Sequence, residues 1–416
     1  MQDMTIVAVD FGSKKFSASI GKQVEDDVDI LGTTSIQSKG LEKGFIVDEE
    51  KAKNSFKELI QDLERKTSQK VTNIYAGISS KGIRTKESNA HIQLREGKVT
   101  GYEIKKAIER AKREATIIEG EEVVDVIVNY YALDGKIAYE NVVGWIGKIL
   151  EVNITIFLGP TNQLNKFRRI ITESGYIVKG FVINVVTGKN VFLDGKNAMG
   201  TKILLDVGSG TIDFAVFRNG VLKSLSNIPI GGNNITKDIS ICAKISMTDA
   251  ENLKKIYSNH YETLNEQKNE KTISVGGTVV DKTLFCEVVK ARIEEILKYI
   301  QLEVKNTSFC EGMCSIIIYG DGISYFENME GMAKKVFDKK VTMVTEKFLG
   351  MKNTENITSL AIVKEMCDRV SVLSNNSTKV EIEKNNEKEI LREIMEEKKE
   401  KEGIVEKIKN FLREVF

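Results

Sequence analysis

Val7-Ala-Val-Asp-Phe-Gly-Ser13 and Leu204-Leu-Asp-Val-Gly-Ser209 are one phrase written twice, with Asp10 and Asp206 in matching places. In each copy a short apolar run, which reads as a buried strand, ends on an aspartate. An x-Gly-Ser turn follows, and then a second apolar run, over 16–21 in the first copy and 212–217 in the second. A third strand comes next, over 29–37 and over 221–228. Three strands joined by tight turns make an antiparallel meander. A repeat this widely spaced is a duplicated lobe rather than a solenoid. The expectation is an α/β protein of two like lobes.

The turns also carry chemistry. Gly12 and Gly208 let the backbone come close to a ligand, and successive amides at such a turn suit a phosphate. Ser13, Ser209 and Lys15 add donors and one positive charge. Asp10 and Asp206 would repel an anion, so their expected role is to hold Mg²⁺ through water. A single Asp-x-Gly-Ser resembles many surface turns. Two at equivalent strand ends, with Asp213 closing Gly210-Thr-Ile-Asp213, point to a polyphosphate clamped from both sides of a cleft. Tyr319-Gly-Asp-Gly322 follows a buried strand over 314–319 and is a further place where a ligand could lie on backbone. Glu251, Lys254 and Lys255 share one expected helix, where a solvated face is the plainer alternative.

Other elements follow from periodicity. A helix is expected over 48–66, capped by Asp48, with Ala52, Phe56, Leu59, Ile60 and Leu63 inward. A strand over 73–78 leads to a small α+β insert over 84–160, with a basic amphipathic helix at 101–115 and strands at 123–133 and 150–158. Beyond it come a helix at 161–174, a strand at 178–186, helices at 235–244 and 248–257, a loop at 265–271 and a strand at 273–280. A long helix at 282–304 and a last one at 358–373 complete the globular part.

Bulk properties are restrictive in a few respects. Formal net charge is +1 on 416 residues, which gives no global field toward nucleic acid. Five cysteines are few and odd in number, against a disulfide framework and for a reducing compartment. Cys310 and Cys314 lie far in sequence from His91 and His260, so buried thiols are expected there rather than zinc. The opening residues lack a signal-peptide pattern, and no apolar run is long enough for a membrane-spanning helix. Residues 376–402 are dominated by Lys and Glu and read as a linker. Behind it, 403–416 carries Ile404, Val405, Ile408, Phe411, Leu412, Val415 and Phe416 on one helical stripe. That arrangement suits a helix lying in a lipid headgroup layer, with a partner-docking helix as the alternative.

Taken together the motifs resemble FtsA, the bacterial cell-division branch of the actin/Hsp70/sugar-kinase superfamily with its ribonuclease-H-like lobes. The likeness includes Gly40-Leu-Glu-Lys-Gly-Phe-Ile-Val-Asp48, Tyr75-Ala-Gly-Ile-Ser79, Leu133-Asp-Gly135, Gly231-Gly-Asn-Asn-Ile-Thr-Lys-Asp238 and Ala250-Glu-Asn-Leu-Lys254. It implies subdomain 1A over 1–83, 161–200 and a closing helix at 358–375, and subdomain 1C over 84–160. It implies subdomain 2A over 201–231 and 305–357, 2B over 232–304, then the linker and a membrane-targeting helix. It further implies ATP with Mg²⁺ between the lobes, actin-like filaments, and residence at the cytoplasmic side of the membrane at the division site. The FtsZ C-terminal peptide would bind 2B, and later division proteins would bind 1C. By the same resemblance Gly12, Ser13 and Lys15 match the first phosphate motif, and Gly208, Ser209, Gly210 and Thr211 the second. Gly231 and Gly232 match the following glycine pair, Glu251 and Lys254 the ribose/adenine helix, and Gly320 and Gly322 the adenosine motif.

This chain departs from the family pattern at Ser13, Ser209, Ile212, Asp321 and Ile323. The departures predict nucleotide binding with little turnover, in which Asp206 would position the attacking water and Asp10 would help hold Mg²⁺. A PilM-like pilus adaptor and a small-molecule kinase are the rival readings. The terminal helix argues against the first, and the lack of a further acid/base pair against the second.

Overall fold

The computed structural model describes residues 5–374, apart from 25–26, 194–197, 267–270, 308, 310–313 and 345–355. The expected linker, the terminal helix 403–416 and its membrane-facing residues lie outside the described residues.

The sequence repeat is a repeat of topology. In the first lobe, strands Thr5–Phe11, Lys15–Val24 and Asp27–Gln37 form the antiparallel meander, and Asn73–Ile78 and then Ile177–Ile183 add in parallel beside the first strand. In the second, Thr201–Val207, Ile212–Arg218 and Val221–Ile228 form the meander, and Cys314–Tyr319 and then Lys340–Met343 add in parallel. Both five-stranded sheets therefore have the same spatial order, with the strand that ends on the Asp turn in the centre.

A central strand covered on both faces should read as a continuous apolar run, and Ile6, Val7, Ala8 and Val9 are all buried. Val7, Val9 and Phe11 face helix Glu49–Thr67, whose Phe56, Leu59 and Ile60 complete that core. Ile6 and Ala8 face the other way, against Ile362, Val363 and Met366 of the last described helix, Ile357–Ser374. The chain thus returns to its first lobe to cover the second face of its first strand. The cap of helix Glu49–Thr67 is Asp48, whose carboxylate accepts from the Lys51 amide at 3.0 Å and satisfies one of the unpaired amides of the first turn.

The insert is a four-stranded antiparallel sheet in the order Arg84–Gln93, Ile149–Pro160, Glu121–Leu133, Lys136–Ala138. Helix Gly101–Arg113 lies on one face, where Ile104, Ala107 and Ala111 meet Val152, Ile154, Ile156 and Leu158. Phe157, on the opposite face, joins the core of the first lobe and docks the insert there.

Several sequence expectations need correction. The strand expected over 178–186 ends at Ile183, and Asn184–Thr187 is a helical turn. A buried apolar run does not distinguish the two states by periodicity. The strand expected over 273–280 is a hairpin, Thr272–Val275 and Thr278–Asp281, around Gly276 and Gly277 at φ +54° and +85°. Such a Gly-Gly pair is the signature of a tight hairpin turn. Strand Arg84–Gln93 was missed because only Ala90 and Ile92 of it are buried, which leaves too little alternation to read. Helices Tyr261–Glu266 and Met329–Phe337 and strands Lys136–Ala138 and Lys340–Met343 were also unread.

Candidate functional site

The two Asp turns sit at the carboxyl ends of the two central strands and open into one cavity of about 770 Å³. Asp10, Gly12, Ser13, Lys14 and Lys15 line it from the first lobe. Asp206, Gly208, Ser209, Gly210, Thr211, Glu251, Gly320 and Asp321 line it from the second. The turns nearly touch: a Cβ on Gly210 would stand 3.0 Å from Ser13 Oγ, which itself accepts from the Gly44 amide at 3.1 Å. The first turn has no room for a side chain at Gly12, where a Cβ would lie 2.5 Å from the Lys15 carbonyl oxygen.

Four of the expected nucleotide residues stand behind the cavity wall. Gly231, Gly232, Gly322 and Lys254 do not line it. The glycines pack three loops backbone to backbone. The carbonyls of Val207, Gly208 and Ser209 accept from the amides of Gly322, Gly232 and Asn233 at 2.7, 3.1 and 2.8 Å. A Cβ on Gly231, Gly232 or Gly322 would come within 2.4–2.6 Å of a carbonyl oxygen in this seam. Their smallness is needed to hold the second turn in place. Lys254 is 1% exposed. Its ammonium donates to Gly232 O at 3.0 Å and Thr236 Oγ1 at 2.7 Å, and pairs with Glu251 at 2.8 Å.

The carboxylates are unevenly placed. Burial pushes Asp10 up to about 6, against the opposing effects of Lys15 and of Asn184, whose Nδ2 donates to Asp10 Oδ1 at 2.7 Å. Burial raises Asp206 well above its ordinary range, and the negative charges of Asp213 and Asp10 add to the effect. Burial would also raise Glu251, but Lys254, Lys14 and Thr236 outweigh it and hold this group down at about 2. Asp213 is a cavity residue whose Oδ1 is already occupied by Ser79, Ser80 and Asn227. It joins the lobes rather than presenting a free carboxylate. Two ion pairs also cross the cleft, Lys14 with Glu251 and Lys15 with Asp321.

Asp10 and Asp206 remain as a facing pair of oxygen donors. Among the described residues no three His, Cys, Asp or Glu groups converge to hold a metal unaided. This donor set fits Mg²⁺, which is commonly bound through one or two carboxylates with waters and substrate phosphates completing its shell. Sequence reasoning missed Asn184, the Ser79–Ser80 pair and both cross-cleft ion pairs. Tyr75-Ala-Gly-Ile-Ser79 had been singled out, but nothing in it names Asp213 as its partner.

Comparison with known proteins decides the family. The model for "Cell division protein FtsA" matches residues 203–361, and that for "SHS2 domain inserted in FTSA" matches 80–158. Cell division protein FtsA of Neisseria meningitidis is 28% identical over 353 residues, covering 82% of this chain and 83% of that protein. FtsA of Bacillus subtilis is 25% identical over 368 residues, covering 87% and 83%. The chain belongs to the FtsA family.

In FtsA terms the first match begins inside the central strand of the second lobe, and the second spans the four-stranded insert. Solved structures place the fold among the actin-like ATPases. The PilM of a PilM–PilN type IV pilus biogenesis complex superposes with TM-score 0.59 at 9% identity, over 89% of this chain and 98% of that one. MreB5 of Spiroplasma citri bound to ADP gives 0.51 at 12% identity, over 90% and 99%. The protein is thus an actin-like relative of a cell-division family.

Proposed function

We propose that this FtsA-family chain is an ATP-binding, polymerising adaptor. It tethers the FtsZ ring to the cytoplasmic face of the membrane and recruits later division proteins. The observation that carries the nucleotide part is the single cavity into which both Asp turns open. The residues assigned to the phosphates are Gly12, Ser13 and Lys15 with Gly208, Ser209, Gly210 and Thr211; Asp10 and Asp206 are assigned to Mg²⁺. For hydrolysis, slow in this reading, Asp206 is assigned to the attacking water. Glu251 and Gly320 complete the wall on the nucleoside side, with Gly231, Gly232, Gly322 and Lys254 supporting it from behind. Titration calorimetry with Mg-ATP tests this part, and absence of binding by folded protein overturns it.

The FtsZ peptide is assigned to 232–304 and later division proteins to 84–160. The membrane contact is assigned to Ile404, Val405, Ile408, Phe411, Leu412, Val415 and Phe416. One short amphipathic helix binds lipid weakly and reversibly, and many copies on one filament multiply the effect. Among the described residues no helix is long and apolar enough to cross a membrane. Liposome co-sedimentation of the full chain and of a chain lacking 403–416 tests the tether, and equal pelleting overturns it. The likeness to PilM supports a second reading, a pilus adaptor of the same fold. Capture of a pilus-protein tail, with no affinity for the FtsZ C-terminal peptide, would favour that one.

A further inference from the structure

The cleft carries its own counter-ions. Lys14 and Lys15 are the cations that the first Asp turn presents to the cavity, and both are paired across the cleft with carboxylates of the second lobe. Lys15 Nζ lies 2.5 Å from Asp321 Oδ2. Lys255, the other lysine of the cavity wall, is exposed. The remaining charged groups on the wall are Asp10, Asp206 and Asp213. A polyphosphate entering this cavity therefore meets, exposed Lys255 apart, cations already neutralised, beside the half-buried carboxylates of Asp10 and Asp206 and the buried Asp213.

The two pairs differ in how firmly the acid is held. Glu251 is 16% exposed in its side chain and is fixed by Thr236 and Lys254 as well as by Lys14. Asp321 is 45% exposed and stands in the turn after strand Cys314–Tyr319; Lys15 is its one charged partner among the described contacts. A partly exposed ion pair of this kind is weak, and a stronger anion can take the cation from it. Phosphate oxygens compete well, because charge-assisted bonds to them are short and strong.

We propose that Asp321 is a stand-in for phosphate: its carboxylate occupies Lys15 in the nucleotide-free cleft, latches the lobes together, and is displaced by the phosphates of an incoming nucleotide. This rests on the nucleotide reading above. It makes Asp321 a built-in competitor that lowers affinity without occluding the cavity. The same carboxylate, once displaced, remains near the phosphates and opposes them, so its charge matters twice.

Titration calorimetry with Mg-ATP on wild type, Asp321→Asn, Lys15→Met and the double variant tests it. Asp321→Asn keeps the side-chain shape and removes the charge; Asp321→Ser repeats the test should the amide make a new contact. The expected result is about tenfold tighter binding for Asp321→Asn, with the gain reduced to less than about threefold in the Lys15→Met background. Equal or weaker binding by both Asp321 variants overturns this inference alone, and would make Asp321 a bystander or a ligand. No binding by wild type or any variant, all melting cooperatively, overturns the nucleotide reading and this inference with it.

Discussion

Ser80 Oγ donates to Asp213 Oδ1 at 2.6 Å, a hydrogen bond that runs from the first lobe to the second. The same oxygen accepts from the Ser80 amide at 3.1 Å, Ser79 Oγ at 2.9 Å and Asn227 Nδ2 at 2.7 Å. Asp213 follows the second Asp turn and Ser79–Ser80 follow strand Asn73–Ile78 of the first lobe, so the clamp sits beside the cavity that separates them.

Asp213→Ala should therefore loosen the lobes. It removes the acceptor shared by Ser79, Ser80 and Asn227 and leaves the buried Ser80 hydroxyl with the Ser226 carbonyl, 2.9 Å away, as its remaining partner. The expected loss is about 3 kcal/mol of unfolding free energy. Urea denaturation followed by circular dichroism measures it, and a change below about 0.5 kcal/mol would show that the lobes are held by other contacts.

Arg369 should be a second point of fragility. Its guanidinium meets Asp125 of the insert with two bonds, 2.6 and 3.1 Å, and Glu365 with a third. It thereby fixes the insert to the last described helix. Arg369→Met leaves Asp125 buried and unpaired, which costs about 3–5 kcal/mol. Adding Asp125→Leu should recover most of that loss, since the penalty lies in the stranded charge. A double variant as unstable as the single one would mean that the bidentate bond itself carries the stability.

The buried carboxylates set a pH dependence. Asp10 is raised from 3.8 to about 6 in the folded chain because burial disfavours its charged form. The folded state therefore binds the proton more tightly than the unfolded chain does. The associated stability is full below about pH 4 and is lost as pH rises through about 6. Asp206 acts in the same direction. Asp10→Asn should flatten the fall in nucleotide-free stability between pH 5 and pH 7.5 by on the order of 1 kcal/mol. Thermal melts across that range check it, and parallel curves for the two proteins would contradict it.

Gly320, in the cavity wall, has little freedom to change. Its φ is +93°, and a Cβ there would lie 2.6 Å from Asp206 Oδ1 and 2.7 Å from the Val207 carbonyl oxygen. Gly320→Ala should cost about 1–3 kcal/mol in backbone strain and also shift Asp206, weakening Mg-ATP binding. Gly277→Ala is the control, at φ +85° with nothing within 4 Å of the added carbon. It should lose only the conformational part, about 1–2 kcal/mol, with nucleotide affinity unchanged. Equal effects of the two changes on binding would remove the special role of Gly320.

Much of the fold was legible because it is encoded locally. The Asp turns, the apolar runs ahead of them and the strands after them each announce themselves within about ten residues, by side-chain period and turn chemistry. Cap and core of helix Glu49–Thr67 were readable for the same reason. Elements with weak periodicity were not, as with Arg84–Gln93, whose surface is mostly polar, and Asn184–Thr187, whose buried residues suit strand and helix alike.

By itself, then, the sequence determined the duplication, the position of both phosphate turns and the presence of an insert, since each depends on neighbours along the chain. Only the tertiary structure decided what those residues face. Lys15 meets Asp321 across 306 positions and Ser80 meets Asp213 across 133, and no local pattern reports a partner that far away. The structure also separated the glycines that line the cavity from those that pack behind it, because the two kinds look alike in a sequence. Close approach of one backbone to another is a property of three loops at once, settled when the strands that carry them are packed side by side.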